Sequence, residues 1–591
     1  MVDELQKNLS RTSAENVEEW LTKDKFAEYK QELEAMILQG RWEELEDAFY
    51  TKIVFGTAGI RGITGLGSAR VSRITIAEAT QGLCLHARDV DDDAKQKGIV
   101  IACDTRLTSD EFSKLAASVC AGNGMKAYLF DGYRSTPELS FAIRHLNAAA
   151  GIVISASHNL PSDNGFKAYM ADGGQLVAPH DSAVVNHVNC IETVAIEDYD
   201  SAVAAGKIEI IGKAVDDAYV SAVLAESLST EKDLHVVYSP LHGAGQRNTL
   251  PVLQEAGYKV TVVARQMTPD GRFPTVENNK PNPEERAAND LAVATMMAED
   301  ADIAITNDPD ADRIGVMIRQ DDEPKYLSGN QSAALATEYV LSKLADSKSL
   351  LPSHYIAKTI VTTDLLDAIA HRYGVRVYGD MLIGFKYIGE LLLNKEQTAE
   401  TFVIGCEESY GLLKGSYARD KDGAVGALVL SEYAAELKAQ GKTLYDRLLE
   451  MYREYGIYTE RLDNIVCPGA KGFEQMQSIM ALLRSDSPKL VGSHEVSAVA
   501  DYQSLERLSV DGDRTPLACT VTGDVIVLEF NDPRCRITIR PSGTEPKLKL
   551  YVQWHTAAID STPESVERQV DDINDMLEGL SRELEGLLLN A

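Results

Sequence analysis

Apolar and polar residues follow two different periods along the chain. Residues 15–50 repeat apolar positions at helical spacing among many charged residues, which predicts helices ahead of the first domain. Beyond them, short β-branched apolar runs alternate with helical segments that begin at a polar residue and end near a glycine. Such alternation is typical of α/β domains, in which helices cover mostly parallel sheets.

The alternation occurs three times and predicts three α/β units. Strands are predicted at 98–103, 126–130 and 151–154, then at 234–238, 258–263 and 301–305, and finally at 354–361, 375–378 and 401–404. Helices are predicted between them at 109–120, 137–146, 247–256, 364–373 and 385–393. After residue 458 the pattern predicts an α+β domain, with strands at 525–530, 536–539 and 548–554 and a closing helix near 566–587.

The length of the chain agrees with this division. A chain of 591 residues is long enough for about four domains of ordinary size. We therefore expect three consecutive α/β domains with mixed, mostly parallel sheets and a C-terminal α+β domain, arranged around a central cleft. The predicted domain ranges are 1–210, 211–323, 324–456 and 457–591.

The charge balance narrows the choice of partners. With 58 Lys and Arg against 90 Asp and Glu, the chain has a formal net charge of −32, and it has no basic run of five or more. Because that field repels duplex nucleic acid and anionic membranes, neither is expected as a partner. A small anion is still compatible with it, since a few converging Lys and Arg side chains reverse the potential locally.

The cysteines and the amino terminus predict a reducing compartment. Eight cysteines are scattered without a C-x-x-C pair, which fits neither a disulfide framework nor a zinc ribbon. The first residues lack a basic segment leading into an apolar one, and no apolar run reaches the length of about eighteen residues that a membrane span needs. A cytoplasmic protein is the simplest expectation.

One polar loop follows a strand in each α/β unit. These loops are Ser-Ala-Ser-His-Asn at 155–159, Asn-Asp-Pro-Asp-Ala-Asp-Arg at 307–313 and Cys-Glu-Glu-Ser-Tyr at 406–410. Because sites in open α/β sheets gather beyond the carboxyl ends of the strands, the three loops can face one crevice. The fourth domain offers a polar loop at 540–547.

The loop of the second unit carries three aspartates at alternate positions. Asp308, Asp310 and Asp312 repel one another strongly unless a divalent cation lies between them, and ligation by oxygen alone favours Mg²⁺ or a similar hard ion. The alternatives are a calcium loop and a solvated acidic turn. An EF-hand calcium loop needs Gly and Glu where this chain has Arg313 and Arg319.

The other two loops hold candidate nucleophiles, acids and bases, each with a structural alternative. Ser157, with His158 beside it and Lys167 ten residues on, is either a nucleophile with activating neighbours or part of an ordinary turn. No G-x-S-x-G elbow supports a hydrolase triad. Glu407 and Glu408 are general acid and base, acceptors for sugar hydroxyls, or a solvated strand end.

Two further segments have the composition of anion-binding loops. The glycine-rich segment 55–62 carries Arg61, and its alternative is a tight turn with a surface cation. The segment 540–544 presents a guanidinium, two hydroxyls and backbone amides, which together favour a phosphate. The nucleotide signatures at 436–443 and 65–70 are incomplete, so ATP and NAD are not expected as cofactors.

Taken together and in this order, the loops resemble the α-D-phosphohexomutase family of phosphoglucomutases and phosphomannomutases. The resemblance covers essentially the whole chain. It is carried by the segments 55–62 (FGTAGIRG), 155–159 (SASHN) with 164–167 (NGFK), 308–313 (DPDADR), 384–389 (GFKYIG), 405–411 (GCEESYG) and 540–547 (RPSGTEPK). The length and the Glu-Glu-Ser-Tyr-Gly form look closest to the long bacterial phosphoglucomutase branch.

The resemblance implies a reaction and a set of site residues. It implies that Ser157 rests as phosphoserine, that Mg²⁺ is held by the three aspartates and a phosphoserine oxygen, and that glucose 1-phosphate becomes glucose 6-phosphate through glucose 1,6-bisphosphate. Arg61, His158 and Lys167 would lie near the transferring group, with Lys167 the candidate general acid or base. The implied substrate contacts are Arg313, Lys386, Glu407, Glu408, Ser409, Arg540, Ser542, Gly543 and Thr544.

Several alternatives stay open at this point. Leu160 stands where the family usually has Pro and Ser155 where Thr is common, so the nucleophile loop can differ in shape. The Gly-Phe-Lys form at 384–386 favours glucose over mannose, but a phosphomannomutase, a phosphopentomutase or a glucose 1,6-bisphosphate synthase fits the same motifs. A metal-dependent sugar phosphatase and a sugar-phosphate sensor are the alternatives from other classes. The fourth domain is expected to close over the cleft, and both a monomer and a homodimer are compatible with the sequence.

Overall fold

Three mixed sheets and one antiparallel sheet follow one another along the chain in this computed structural model, which describes residues 2–53, 59–467, 472–542, 547–559 and 562–589. Each sheet with its helices forms one domain, and the domains are numbered 1 to 4 in chain order. The predicted fold class is confirmed. The eight cysteines are all free, as expected. Within the described ranges, every helix is too short or too polar to cross a membrane.

Four helices precede domain 1. They are α1 (Val2–Asn8), α2 (Arg11–Thr22), α3 (Ala27–Leu38) and α4 (Trp42–Phe49). The Ser10 side chain accepts a hydrogen bond from the backbone of Ser13 and so caps α2. Trp20 stacks on Phe26 and meets Phe49 edge-on, so the helices have a small aromatic core of their own.

Domain 1 has a six-stranded sheet in the order β1-β5-β4-β2-β3-β6. Its elements are β1 (Ile60–Ile63), α5 (Arg73–Val90), α6 (Ala94–Lys97), β2 (Ile99–Cys103), α7 (Ser109–Gly122), β3 (Ala127–Phe130), α8 (Thr136–His145), β4 (Ala150–Ile154), β5 (Asp163–Met170), α9 (His180–Asn189), α10 (Tyr199–Ala204) and β6 (Ile208–Ile211). Strands β2, β3, β4 and β6 are parallel, whereas β5 and β1 run antiparallel to their neighbours. The antiparallel strand β5 carries Lys167 back across the sheet.

Domain 2 has a five-stranded sheet in the order β11-β10-β9-β7-β8. Its elements are α11 (Lys213–Leu224), β7 (His235–Ser239), α12 (Thr249–Glu255), β8 (Lys259–Val262), α13 (Asp290–Ala298), β9 (Ile303–Asn307), β10 (Ile314–Gln320) and β11 (Glu323–Leu327). A two-residue turn with Asp321 at φ +54° joins β10 to β11. Because the tight turn pairs β11 with β10, β11 belongs to the sheet of domain 2. Domain 2 therefore extends beyond the predicted boundary at residue 323.

Domain 3 has a four-stranded sheet in the order β13-β12-β14-β15. Its elements are α14 (Gly329–Asp346), β12 (His354–Thr359), α15 (Leu365–Tyr373), β13 (Arg376–Met381), α16 (Phe385–Lys395), β14 (Thr401–Glu407), β15 (Gly411–Lys414), α17 (Gly423–Lys438) and α18 (Leu444–Tyr455). The first three strands in that order are parallel, and β15 folds back antiparallel on β14. Glu407 therefore lies at the carboxyl end of a buried strand.

Domain 4 has a seven-stranded antiparallel sheet in the order β16-β24-β23-β22-β19-β20-β21. Its elements are β16 (Ile457–Val466), α19 (Gly472–Ser485), β17 (Leu490–Val491), β18 (His494–Glu495), β19 (Ala498–Asp501), β20 (Glu506–Ser509), β21 (Arg514–Pro516), β22 (Ile526–Glu529), β23 (Arg536–Pro541), β24 (Lys547–Thr556) and α20 (Pro563–Leu589). Strands β17 and β18 form a separate ribbon. The sheet packs one face on α19 and α20, as a two-layer domain must.

Candidate active site

Ser157 lies in the loop that follows β4. Its backbone has φ +51°, a left-handed conformation that is uncommon for a residue other than glycine. The Ser155 hydroxyl accepts a hydrogen bond from the Ser157 amide at 2.8 Å, so serine at 155 supplies the acceptor that shapes the loop. The Ser157 hydroxyl, only 2 % exposed as a residue, donates to Asp308 Oδ2 at 2.7 Å and thereby joins domain 1 to domain 2.

The three aspartates lie between β9 and β10 and are buried. One carboxylate oxygen from each of Asp308, Asp310 and Asp312 lies within 4.8 Å of the others. Burial raises the pKa of Asp308 well above its usual range, and the neighbouring Asp312 and Asp310 raise it further. The Oδ1 atoms of Asp310 and Asp312 are buried without a hydrogen-bond partner among the described residues. Unpartnered oxygens in a group made only of oxygen ligands fit a hard divalent cation.

Two lysines from different domains neutralise part of this charge. Lys167 Nζ on β5 donates to Asp310 Oδ2 at 2.7 Å and lies 3.3 Å from Asp312 Oδ2. Burial alone would lower the pKa of Lys167, but Asp310 and Asp312 outweigh it and hold the pKa above its ordinary value. Lys421 Nζ of domain 3 lies 3.1 Å from Asp312 and 3.7 Å from Glu407. The ammonium groups therefore link all three α/β domains at the aspartates.

Sequence reasoning missed Lys421. It belongs to the charged run Arg-Asp-Lys-Asp at 419–422, between the apolar strand β15 and the apolar helix α17. Four consecutive charged residues at such a junction are a signal that a site can lie there, although the run by itself also fits a solvated turn. Thr136, which donates to Asp310 Oδ2 at 2.8 Å, had no signal of its own.

Arg61, His158 and Arg313 also lie close to Ser157 or to the aspartates. Arg61 lies on β1 opposite Gly165, whereas residues 54–58 of the predicted glycine-rich loop lie outside the described residues. Burial lowers the pKa of His158 well below its usual range, and the nearby Arg313 and Arg61 add to the effect. His158 Nδ1 lies 3.2 Å from the Ser157 hydroxyl. Arg313 donates to Glu284 at 2.6 Å.

The predicted sugar-binding loop turns between β14 and β15. Glu407 is buried at the end of β14, on the side of Lys421, whereas Glu408 and Ser409 are half-buried in the turn. Burial raises the pKa of Glu408 to about 7, and the charge of Glu407 contributes to that rise. Thr359 donates to Glu408 at 3.3 Å. The carboxylates of Glu407 and Glu408 can accept hydrogen bonds from hydroxyls, and Glu408 can donate one when it is protonated.

The predicted phosphate loop follows β23. Arg540 lies near the end of that strand, and the Ser542 amide donates to the Lys547 carbonyl at 2.8 Å. Gly543 and Thr544, which the sequence also predicts as phosphate ligands, lie outside the described residues. Burial lowers the pKa of Lys386 on α16; Asp181 and Glu390 oppose the shift, and Arg540 of domain 4 adds to it.

A third cation joins this second group. Burial lowers the pKa of Lys549 on β24; Arg540 lowers it further, and the facing carboxylates of Glu284 and Glu408 oppose the shift. Lys386, Arg540 and Lys549 place positive charge together where domain 4 meets domain 3, as in clefts that attract anions. Domain 4 therefore presents positive charge towards the carboxylates of domains 2 and 3.

Comparison with known proteins agrees with this arrangement. The descriptions phosphoglucomutase/phosphomannomutase alpha/beta/alpha domain I, domain II and domain III match residues 52–195, 217–321 and 328–455. A phosphoglucomutase of Staphylococcus haemolyticus (strain JCSC1435) is 34% identical over 529 residues, which cover 88% of this chain and 94% of the relative. A phosphoglucomutase of Staphylococcus aureus (strain MRSA252) is 34% identical over 531 residues, with coverage of 89% and 94%.

Solved structures share the fold. The open form of the phosphoglucomutase parafusin from Paramecium has a TM-score of 0.66 at 17% identity and covers 91% of this chain and 96% of its own. A putative phosphomannomutase from Thermus thermophilus has a TM-score of 0.63 at 24% identity, with coverage of 89% and 99%.

The sheets, the shared site and these matches define a phosphohexomutase, and the chain belongs to the phosphoglucomutase/phosphomannomutase family. Within the family it lies on the bacterial phosphoglucomutase branch. It is an isomerase that acts by phosphoryl transfer.

Proposed function

We propose that the protein interconverts glucose 1-phosphate and glucose 6-phosphate through phosphoserine at Ser157 and glucose 1,6-bisphosphate. One observation carries the proposal: the Ser157 hydroxyl lies 2.7 Å from Asp308, inside a group of three aspartates that Lys167 also contacts. A nucleophile beside a cation site and a fixed ammonium group is the arrangement that phosphoryl transfer needs, because its barrier falls mainly through positioning and charge stabilisation.

The residues have separate tasks in this reaction. The phosphoryl group leaves Ser157 Oγ and bonds to the free hydroxyl of the sugar phosphate; the hydroxyl loses a proton and Ser157 Oγ gains one. Lys167 is the candidate general acid: its ammonium group, which contacts Asp310, would give Ser157 Oγ its proton, and the resulting amine would take the proton of the sugar hydroxyl. The bisphosphate then reorients within the cleft, and its other phosphate is transferred to Ser157.

The metal is proposed to be Mg²⁺. Asp308, Asp310 and Asp312, with an oxygen on Ser157, would hold it, and the buried unpartnered oxygens of Asp310 and Asp312 support this ligand set. When bound, the ion would supply positive charge to the transferring phosphoryl group. Removal of divalent ions with EDTA should abolish turnover, and Mg²⁺ should restore it.

Opposite ends of the cleft are proposed to bind the two phosphates. A bisphosphate brings about four negative charges at neutral pH, and an acidic protein needs local cations to accept them. Arg61 and Lys167 would bind the transferring phosphate, whereas Arg540 and Ser542 of domain 4 and Lys386 of domain 3 would bind the other one. Glu407, Glu408 and Ser409 would bind the sugar hydroxyls between them. Closure of domain 4 would exclude water and so favour isomerisation over hydrolysis.

The assay supplies glucose 1-phosphate, Mg²⁺ and trace glucose 1,6-bisphosphate to the purified protein. We expect glucose 6-phosphate as the main product, with faster turnover than for mannose 1-phosphate or ribose 1-phosphate. A preference for mannose or ribose phosphate would assign another activity of the same family. Release of inorganic phosphate faster than isomerisation would make the protein a phosphatase, and no reaction with any of the sugars would contradict the proposal.

A further inference from the structure

Arg106 lies directly behind the nucleophile loop and does not reach the cleft. It follows β2 in the segment Asp-Thr-Arg at 104–106 and is 3% exposed. Its two terminal nitrogens donate to four backbone carbonyls of one loop, with Nη2 bonded to Ser157 O and Asn159 O, both at 2.6 Å, and Nη1 bonded to Leu160 O at 2.6 Å and Asp163 O at 2.9 Å. One guanidinium therefore holds both sides of the turn that presents Ser157.

Asp104 forms an ion pair with the Arg106 guanidinium. Its Oδ2 lies 3.2 Å from Arg106 Nε, and its Oδ1 accepts from the Arg106 amide at 2.9 Å and from the Ser109 hydroxyl at 2.7 Å. Both members of the ion pair are buried in domain 1. Arg106 Nε and Asp104 Oδ2 form an ion pair without a hydrogen bond, so the four carbonyls and the contacts of Asp104 Oδ1 supply the directional bonds that hold the pair in one geometry.

Domain 2 also contacts Arg106 and the segment that carries it. The fully buried Phe273 ring lies 5.3 Å from the Arg106 guanidinium carbon, close enough for a cation–π contact. A Cβ added to Gly271 would lie 2.5 Å from the Leu107 amide nitrogen, so the two loops are in direct backbone contact. Arg106 is thus enclosed between the domain that carries Ser157 and the domain that carries the aspartates.

We infer that Arg106 is a positioning residue, whose fork of donors fixes the nucleophile loop with the Ser157 hydroxyl directed at Asp308. The inference rests on the proposed function for its kinetic part only. Four inward-facing carbonyls compensate for the unfavourable φ of Ser157 and leave its hydroxyl on the opposite side, towards the aspartates. Lysine cannot replace this fork, because an ammonium group concentrates its three donors at one point.

The test compares Arg106→Lys with Arg447→Lys. Arg447 is a matched control, since it is also paired within the protein, with Glu338 and Glu454 of domain 3, and lies away from the Ser157 loop. Hydrogen exchange is measured on peptides that cover residues 155–163. We expect Arg106→Lys to speed exchange there at least about tenfold, while exchange elsewhere in domain 1 and in the Arg447→Lys protein stays as in the wild type.

Kinetics supply the second readout. In Arg106→Lys, the rate at which glucose 1,6-bisphosphate phosphorylates Ser157 should fall about 100-fold, and so should kcat, because a small misplacement of a reacting group has effects of that size. Intact-mass spectrometry measures the phosphorylation. KM for glucose 1-phosphate should change less than about twofold, since the distal phosphate contacts are intact. A failure of the wild-type protein to isomerise any sugar phosphate would contradict the proposed function, whereas the exchange measurement would still test Arg106.

Unchanged exchange at 155–163, wild-type kcat in Arg106→Lys, or a loss that appears only in KM would each overturn the inference. If Arg106→Lys does not fold, the double variant Asp104→Asn, Arg106→Gln removes both buried charges together and is measured in the same way. If that protein also fails to fold, Phe273→Leu removes only the cation–π contact. This variant should speed hydrogen exchange at residues 155–163 without changing the melting temperature of domain 4. Unchanged exchange at residues 155–163 would overturn the inference.

Discussion

Domains 1 to 3 and domain 4 are joined in different ways. One apolar core runs through the three α/β domains, includes Val100, Val236 and Ile356 from their strands, and extends into domain 4 at Ile457, Tyr458 and Val566. The sheet of domain 4 also has a core of its own, and a smaller apolar cluster that includes Leu382 and Tyr502 joins it to domain 3. Domain 4 therefore shares the large core at the start of its first strand and of its last helix, whereas domains 1 to 3 share it through their sheets.

The polar contacts show the same contrast. Buried contacts at the aspartates join the first three domains, through Ser157 and Lys167 of domain 1 and Lys421 of domain 3. Domain 4 is instead attached to domain 3 where Arg536 pairs with Asp364 and Tyr502 donates to Asp380. On the proposed function, the transferring end lies among domains 1 to 3, whereas the proposed phosphate ligands Arg540 and Ser542 lie on domain 4.

Ser157→Ala, in domain 1, should have the largest effect on activity. With no oxygen to carry the phosphoryl group, mutase activity should fall at least about 10⁴-fold, while the melting temperature stays near that of the wild type. The assay is formation of glucose 6-phosphate, with mass spectrometry for phosphate on the protein. Ser162→Ala is the control, because Ser162 is an exposed residue of the same loop whose hydroxyl donates to Asp163. Retained activity in Ser157→Ala would remove this residue from the mechanism.

Lys421→Met should come next in size, although the sequence did not reveal this residue. Burial lowers the pKa of Lys421, but Asp312, Asp420 and Glu407 outweigh it, so the ammonium is charged and holds domain 3 to the aspartate loop. Its loss should lower kcat about 100- to 1,000-fold, in the range seen when one fixed electrostatic group is removed.

The matched control for that variant is Lys438→Met. Lys438 also pairs across domains, with Asp302, but its side chain is 39% exposed and it lies away from the cleft. Its kcat should stay within about twofold of the wild type, because exposed pairs contribute little. An equal loss of activity in both variants would show that Lys421 acts through general stability.

The two halves also differ in how far the sequence could predict them. The aspartates follow one another within five residues at the end of an apolar strand, so a local pattern was enough to predict a cation site. The Ser157 loop and the glutamates also follow buried strands, and the rule on strand ends predicted that they could share a crevice. Local spacing was therefore enough to predict most of the candidate site residues in domains 1 to 3.

Contacts between distant segments could not be predicted in the same way. Lys421 looked like part of a charged turn, and Arg106 like the polar end of strand β2, because their partners lie in other loops or domains. The antiparallel strands β1 and β5 were missed, since their apolar positions do not alternate regularly against polar ones. The attachment of domain 4 depends on pairs such as Arg536 with Asp364, which lie far apart in sequence.

Arg540→Ala tests domain 4. Loss of a charged donor to phosphate should raise KM for glucose 1-phosphate about 10- to 100-fold, as expected for one charge-assisted bond. The Ser157 phosphorylation state should not change, because the reacting end is intact. Arg514→Ala is the control, since Arg514 is an exposed arginine of the same sheet that pairs with Glu506. A fall in kcat with KM unchanged would place Arg540 at the reacting end and contradict the division.

Asp364→Asn should have the smallest effect on activity and a distinct dependence on pH. Burial raises the pKa of Asp364, but Lys358 and Arg536 outweigh it and hold the pKa well below its usual range. A depressed folded-state pKa contributes stability that is present above the unfolded pKa of about 4 and is lost as the pH falls towards the folded value. At pH 7 the variant should lose about 2 kcal/mol of unfolding free energy, the size of a hydrogen bond to a charged group.

Denaturant unfolding at several pH values measures this difference. The gap between wild type and Asp364→Asn should be full at pH 7 and shrink below pH 4, because the wild type loses its own contribution as the carboxylate takes up a proton. Asp217→Asn is the control: Asp217 forms an exposed pair with Lys213 and should change stability by less than about 0.5 kcal/mol. A gap that stays constant from pH 7 to pH 3 would mean that the charge of Asp364 does not hold domain 4 to domain 3, and the contrast between domains 1 to 3 and domain 4 would then rest on the apolar cores alone.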